Sequence, residues 1–174
     1  MTSNFPFPWY RNARRNGIVL DTGVILIHAL AHYQAGQYLN QVLTNIPPVA
    51  GTDLSRQLKI LLGSLSSWQI TPEVLAEFQA LAERRGHLNS AQLGDLLLEY
   101  SRFPIKEIHI PYAQLVQTKS EANAWVFSYT DTSVVLAAKE QSTVVLTTDR
   151  ALRRLGNRLG VQVLHIYEDY YLHL

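Results

Sequence analysis

Four acidic residues are the best candidates for chemistry in this chain: Asp21, Glu77, Asp131 and Asp149. Asp21 interrupts the run IVLDTGVILI, which otherwise reads as a buried strand followed by a buried helix. Asp149 ends VVLTTD, and Asp131 opens DTSVVLAAKE, the helical pattern that leads into that strand. On a helical wheel of residues 72–84, Val74, Leu75, Phe78 and Leu81 form the apolar stripe, with Glu77 on its flank and Glu83 opposite. Of the three glutamates there, Glu77 is expected to point most toward the core. Each aspartate taken singly has an ordinary role as an N-cap, where its carboxylate accepts from free helical N–H groups. Taken together, they meet one edge of the expected sheet, and there they repel. Two carboxylates 4 Å apart cost about 4 kcal/mol at an effective dielectric near 20, so a cation is the natural counterweight. His28 and His32 stand at i, i+4 but lack a third ligand, and the chain has no cysteine. Oxygen donors alone favour Mg²⁺ or Mn²⁺ over zinc. Such an ion lowers the pKa of a bound water and holds phosphate oxygens, which points to hydrolysis of a phosphodiester.

The elements that must position these acids follow from the apolar pattern. Five short, β-branched runs, GIVLD, SSWQIT, IKEIHIP, TVVLTTD and VQVLHI, are separated by longer helical stretches. This alternation predicts an α/β domain with a mostly parallel five-stranded sheet flanked by helices. The periodicity predicts helices over 23–45, 54–64, 72–85, 89–101, 112–127, 131–141 and 149–159, with Thr71 and Pro72 marking the start of the third. In an open parallel sheet, ligands bind at the carboxyl ends of the strands, where the chain reverses its order of laying them down. Asp21 and Asp149 both fall at such ends.

Composition narrows the class. At 174 residues, with a formal charge of +1, the chain is expected to form one domain with no global bias toward nucleic acid or membrane. Absence of cysteine excludes disulfides and thiol nucleophiles and fits a reducing cytoplasm. Residues 22–52 carry no Asp, Glu, Lys or Arg, yet the apolar core GVILIHALA is too short to span a bilayer, so no membrane association is expected. Residues 1–16 read as an N-terminal arm, flexible or docked, preceding a domain of residues 17–174; prolines argue against helix in the arm. Its aromatics with Arg11, Arg14 and Arg15 could touch RNA, but docking on the domain is the simpler reading.

The blocks IVLDTGVILI, ITPEVLAEF, YTDTSVVLAAKE and VVLTTDRALRRLGNRLGVQVLHI resemble the ordered acidic motifs of PIN-domain ribonucleases, the family that includes VapC-type toxins. The resemblance runs from Gly17 to Ile166. It implies a sandwich of helices around a parallel sheet and metal-dependent cleavage of single-stranded RNA, commonly by a dimer. It also implies that Asp21, Glu77, Asp131 and Asp149 bind Mg²⁺ or Mn²⁺. Many members carry Asn two residues after the first Asp, where this chain has Gly23, and compact toxins of the family are shorter. Thr147 matches a Ser or Thr that often stands two positions before the fourth acid.

Arg150, directly after Asp149, is the candidate for contacting a substrate phosphate. Arg154 and Arg158 share its helix face, opposite Leu152, Leu155 and Leu159, and a solvated face explains them as well. The uncharged first helix, with Tyr33, Gln34, Gln37, Tyr38 and Gln41, suggests contact with a second subunit or an antitoxin-like protein. A haloacid-dehalogenase-type phosphatase would need an aspartate at position 23, and a receiver-type phosphoacceptor a lysine near Asp149; neither is present. The rival that remains is a noncatalytic PIN-like module binding RNA or protein.

Overall fold

A computed structural model of the chain describes residues 8–32, 48–85 and 87–170. Its five strands are all parallel, in the order β3-β2-β1-β4-β5. They are β1 (Ile18–Leu20), β2 (Trp68–Ile70), β3 (Ile105–Glu107), β4 (Val145–Thr147) and β5 (Val163–His165). Four are buried throughout, as continuous β-branched runs require when helices cover both faces; β3, with exposed Lys106 and Glu107, is an edge. The chain builds outward from β1 through β2 to β3, then crosses back to lay β4 against the other side of β1. The switch point therefore lies between β1 and β4, where Val19 pairs with Val145 and Leu20 with Leu146.

Among the described residues, the helices before β3 are α1 (Pro8–Asn16), α2 (Thr22–His32), α3 (Pro48–Gly63), α4 (Pro72–Arg84) and α5 (Ser90–Tyr100). After it come α6 (Tyr112–Glu121), α7 (Tyr129–Glu140) and α8 (Arg150–Leu159), and the chain continues past β5 into a π-helical turn, Ile166–Tyr170. The expectation of a non-helical arm fails over residues 8–16, because Pro8 takes the first helical position, where a missing N–H costs nothing. Trp9, Tyr10 and Ala13 are buried, and Tyr10 donates to Ser64 at 3.0 Å, so this helix is docked. Arg11, Arg14 and Arg15 remain on its exposed side.

α2 is apolar around nearly its whole circumference because it sits in the core, packing on α3 and α4. Residues 33–45, the rest of the expected first helix with its tyrosines and glutamines, lie outside the described residues. His28 is buried, with Nδ1 at 2.9 Å from the Tyr100 hydroxyl and its ring edge-on to Trp68, which makes it a core histidine. α6 stops at Glu121, short of the expected 127. Asn123 takes a left-handed conformation, and a new capping box begins at Ser128. No helix among the described residues is long and apolar enough to cross a membrane.

Candidate active site

Asp21 leaves the end of β1 with its N–H bonded to the Leu146 carbonyl of β4 at 3.0 Å, so the sheet itself fixes the backbone of this residue. Its side chain is buried and held on both oxygens: the Thr22 N–H donates to Oδ1 at 2.7 Å and the Thr147 hydroxyl to Oδ2 at 2.6 Å. Burial raises its pKa from 3.8 to about 6; the hydrogen bonds from Thr147 and Thr22 oppose this, and the charges of Asp131 and Glu77 add to it. That Asp131 and Glu77 are felt at Asp21 means three of the four acids from the sequence share one electrostatic neighbourhood.

Two threonines tie the acids into a network. Thr147, fully buried at the end of β4, gives its proton to Asp21 and accepts from the Asp149 N–H at 2.9 Å. Thr22, at the start of α2, uses its N–H on Asp21 and its hydroxyl on Glu77 Oε2 at 2.8 Å. Asp149 is the N-cap of α8 and accepts from the Ala151 N–H at 2.6 Å. Asp131 is at the third position of α7, where it completes a capping box with Ser128: Oδ2 accepts from the Ser128 N–H at 2.8 Å, and the Asp131 N–H donates to Ser128 Oγ at 2.9 Å. Among the described residues, capping therefore occupies one oxygen of each of these two acids and leaves the other without a hydrogen bond.

The helical wheel misjudges α4. Glu77 is exposed, and Glu73, one turn earlier, is the more buried glutamate, with Oε2 enclosed and, among the described residues, without a hydrogen-bond partner. Val74, Phe78 and Ala82 form the buried side, shifted from the expected stripe so that Leu75 and Leu81 are only partly covered. Glu73 and Glu77 stand one turn apart and only about 40° around the helix, so they share a face, and which of them is deeper is set by position along α4, which a helical wheel does not resolve. Among the described residues, no three of His, Asp and Glu converge closely enough to hold an ion as they stand.

Position 23 shows why glycine is tolerated after the first acid. A Cβ built there would stand 2.2 Å from Thr148 Oγ1, so the Thr148 hydroxyl occupies the volume a side chain would need. Thr148 also accepts on its carbonyl from His165 Nε2, at 2.9 Å, which braces the β4–α8 turn against β5. Arg150 is largely exposed and pairs with Glu168 at 2.5 Å. Arg153 binds both Glu168 and Asp169, so the π-helical turn after β5 closes on the first turns of α8. Neither hydropathy nor periodicity marks Thr22, Thr148 or Glu168, because a hydroxyl has no hydropathy signature and Glu168 reaches α8 only through the β5 crossover.

The fold agrees with that of similar proteins. The PIN domain profile matches residues 42–158, more than half of the chain. That span includes Glu77, Asp131 and Asp149; Asp21 precedes it and joins them through the pairing of β1 with β4. No curated protein matches the chain. Among solved structures, FitAcB from Neisseria gonorrhoeae superposes with a TM-score of 0.51 at 20% identity, over 87% of this chain and 99% of that one, which is a likeness of fold. With its all-parallel five-stranded sheet and the profile match, the chain belongs to the PIN domain family.

Proposed function

We propose that this protein is a metal-dependent ribonuclease that hydrolyses RNA phosphodiester bonds at the carboxyl edge of β1 and β4. One observation carries this reading. Asp21 is a buried carboxylate at the switch point of the sheet, raised to about 6 by desolvation with two further acids adding to the strain. A protein gains nothing in stability from such a charge, and a bound cation offsets it. PIN domains are in general nucleases that use divalent metals, which agrees with this site.

The donor set fits Mg²⁺ or Mn²⁺. It is made of oxygens, and Mg²⁺ keeps several waters and takes only one or two carboxylates directly, so acids that share an electrostatic neighbourhood without closing on one point suit it. Asp21, Glu77, Asp131 and Asp149 would hold the metal, directly or through water, and it would supply an acidified water and charge stabilisation at the phosphate. Thr147 keeps the Asp21 carboxylate and the Asp149 backbone in one register, and Thr22 couples Asp21 to Glu77. Arg150 takes a substrate phosphate by exchanging Glu168 for it. The substrate is RNA, single-stranded or structured. The protein works in the cytoplasm, as a homodimer or with an antitoxin protein, and one biological setting consistent with this is the toxin of a toxin–antitoxin pair.

Cleavage of short single-stranded RNAs with Mn²⁺, Mg²⁺ or EDTA, by wild type and by the Asp21→Asn/Asp149→Asn double variant, tests the reading. Metal-dependent cutting that disappears in the variant supports it, and equal cutting by both proteins refutes the site. The noncatalytic alternative draws on the capping bonds of Asp131 and Asp149, which give both residues a structural role. It gains if RNA binds tightly and no condition yields cleavage.

A further inference from the structure

Beside the acids, the α6–α7 connection carries an exposed aromatic surface that the candidate chemistry does not use. Tyr112 opens α6 and is 70% exposed, Trp125 is 55% exposed and Tyr129 40%. The Tyr112 and Tyr129 rings lie 5.7 Å apart, tilted by 35°. Tyr129 is the first residue of α7 and Asp131 the third, so this surface and one of the acids share a single helical turn.

Under the rings lies Lys119, only 3% exposed. Its ammonium donates to the Phe127 carbonyl and reaches the Ala124 and Ser128 carbonyls at 3.5 Å, and it stands 5.0 Å from the Tyr129 ring centre and 5.8 Å from that of Trp125. Among the described residues no carboxylate pairs with it. Arg158 adds a second cation, over Phe127 at 5.9 Å and bonded to the Asn123 carbonyl. The loop therefore presents stacking faces above positive charge that has no anion of its own.

We infer that Tyr112, Trp125 and Tyr129 form a base-stacking subsite that seats a nucleotide of single-stranded RNA beside the acid cluster, with Lys119 and Arg158 supplying the field for its phosphate. The inference rests on the ribonuclease reading above. Exposed planar rings beside a cationic field are what sequence-tolerant binding of single strands uses, because every base offers a π-face. A second copy of this chain fits less well: a two-fold interface through this surface would bring its own unneutralised cations toward one another. Charge thus favours a polyanion carrying aromatic bases.

The tryptophans make the test direct. Trp125 is exposed whereas Trp9 and Trp68 are buried, so quenching by a solute reports on Trp125. Wild type, Trp125→Ala and Trp125→Phe are titrated in EDTA with a dye-labelled short oligoadenylate and a dye-labelled abasic ribose-phosphate strand of equal length, with affinity read by anisotropy in all three proteins and Trp125 quenching in wild type alone, and metal-dependent cleavage of RNA is assayed in parallel. Expected are quenching by oligoadenylate and not by the abasic strand, about tenfold weaker oligoadenylate binding in Trp125→Ala, and recovery of most of it in Trp125→Phe. Equal binding of the two strands, or unchanged affinity in Trp125→Ala, overturns the subsite, while cleavage by wild type leaves the nuclease reading standing. Absence of both cleavage and binding removes the ribonuclease reading and the subsite with it. Loss of iodide access to Trp125 with rising protein concentration, together with a dimer in ultracentrifugation, assigns the surface to a second copy and also overturns the subsite.

Discussion

Replacing Asp21 with Asn removes a charge from a buried position, and its consequence reverses with pH. The raised pKa, from 3.8 to about 6, means that the folded protein holds this proton more tightly than the unfolded chain does. Stability from the protonated form is complete below about pH 4 and is lost as pH rises to about 6 and above. At about 1.4 kcal/mol for each pH unit, the full loss at neutral pH is about 3 kcal/mol. Asn avoids it, still accepts from the Thr22 N–H, and loses the bond from the Thr147 hydroxyl, at a cost of about 1 kcal/mol. In EDTA at neutral pH, Asp21→Asn is therefore expected to be more stable by about 2 kcal/mol, or about 4–8 °C in Tm for a chain of this length. At pH 4 the gain vanishes or changes sign. Urea and thermal unfolding of both proteins across this range read the difference directly, since shifts at other carboxylates cancel between them. Mn²⁺ is expected to raise the Tm of wild type and not of the variant, with the effect fading as pH falls through about 6. A variant less stable than wild type by a constant amount at every pH would refute the reasoning, because Asp21 would then carry no desolvation penalty.

Three further outcomes follow from the same geometry. Thr147→Val keeps the shape of the strand but leaves the Asp149 N–H without its acceptor and Asp21 without a donor; it is expected to cost about 1–3 kcal/mol in urea unfolding and to move the acid limb of the cleavage profile to higher pH, whereas Thr147→Ser restores both. Gly23→Ala is expected to destabilise by about 1–3 kcal/mol, because its Cβ meets the Thr148 hydroxyl, and the Gly23→Ala/Thr148→Ala pair to recover most of that loss in a double-mutant cycle. Glu168→Gln frees Arg150 and is expected to lower KM for RNA, and Arg150→Ala to raise it while changing stability by less than about 1 kcal/mol, since Arg150 is largely exposed; Glu168→Gln also weakens the pair with Arg153, so steady-state kinetics and a melting curve are read together.

The sequence by itself determined the parts with a local or periodic signature. Five short runs alternating with helices sufficed for a parallel α/β sheet: four of the strands are buried throughout and read as mostly apolar stretches, while the edge strand β3 carries exposed Lys106 and Glu107. Asp21 was legible for the same reason, as one carboxylate at the joint of two buried elements. Only the tertiary structure decided how the site is held. Thr147 reaches Asp21 across 126 residues, a contact created by the return of the chain to lay β4 on β1 and invisible to any window along the sequence. The deeper burial of Glu73 relative to Glu77, one turn apart on the same face of α4, depends on what packs along the length of that helix, which the apolar stripe does not report. The seating of Lys119 under an aromatic loop and the pairing of Arg150 with Glu168 likewise depend on where separate elements meet. Such contacts are set by the closure of the whole chain, where burial, charge and hydrogen bonding are balanced together, and no single stretch of sequence carries that balance.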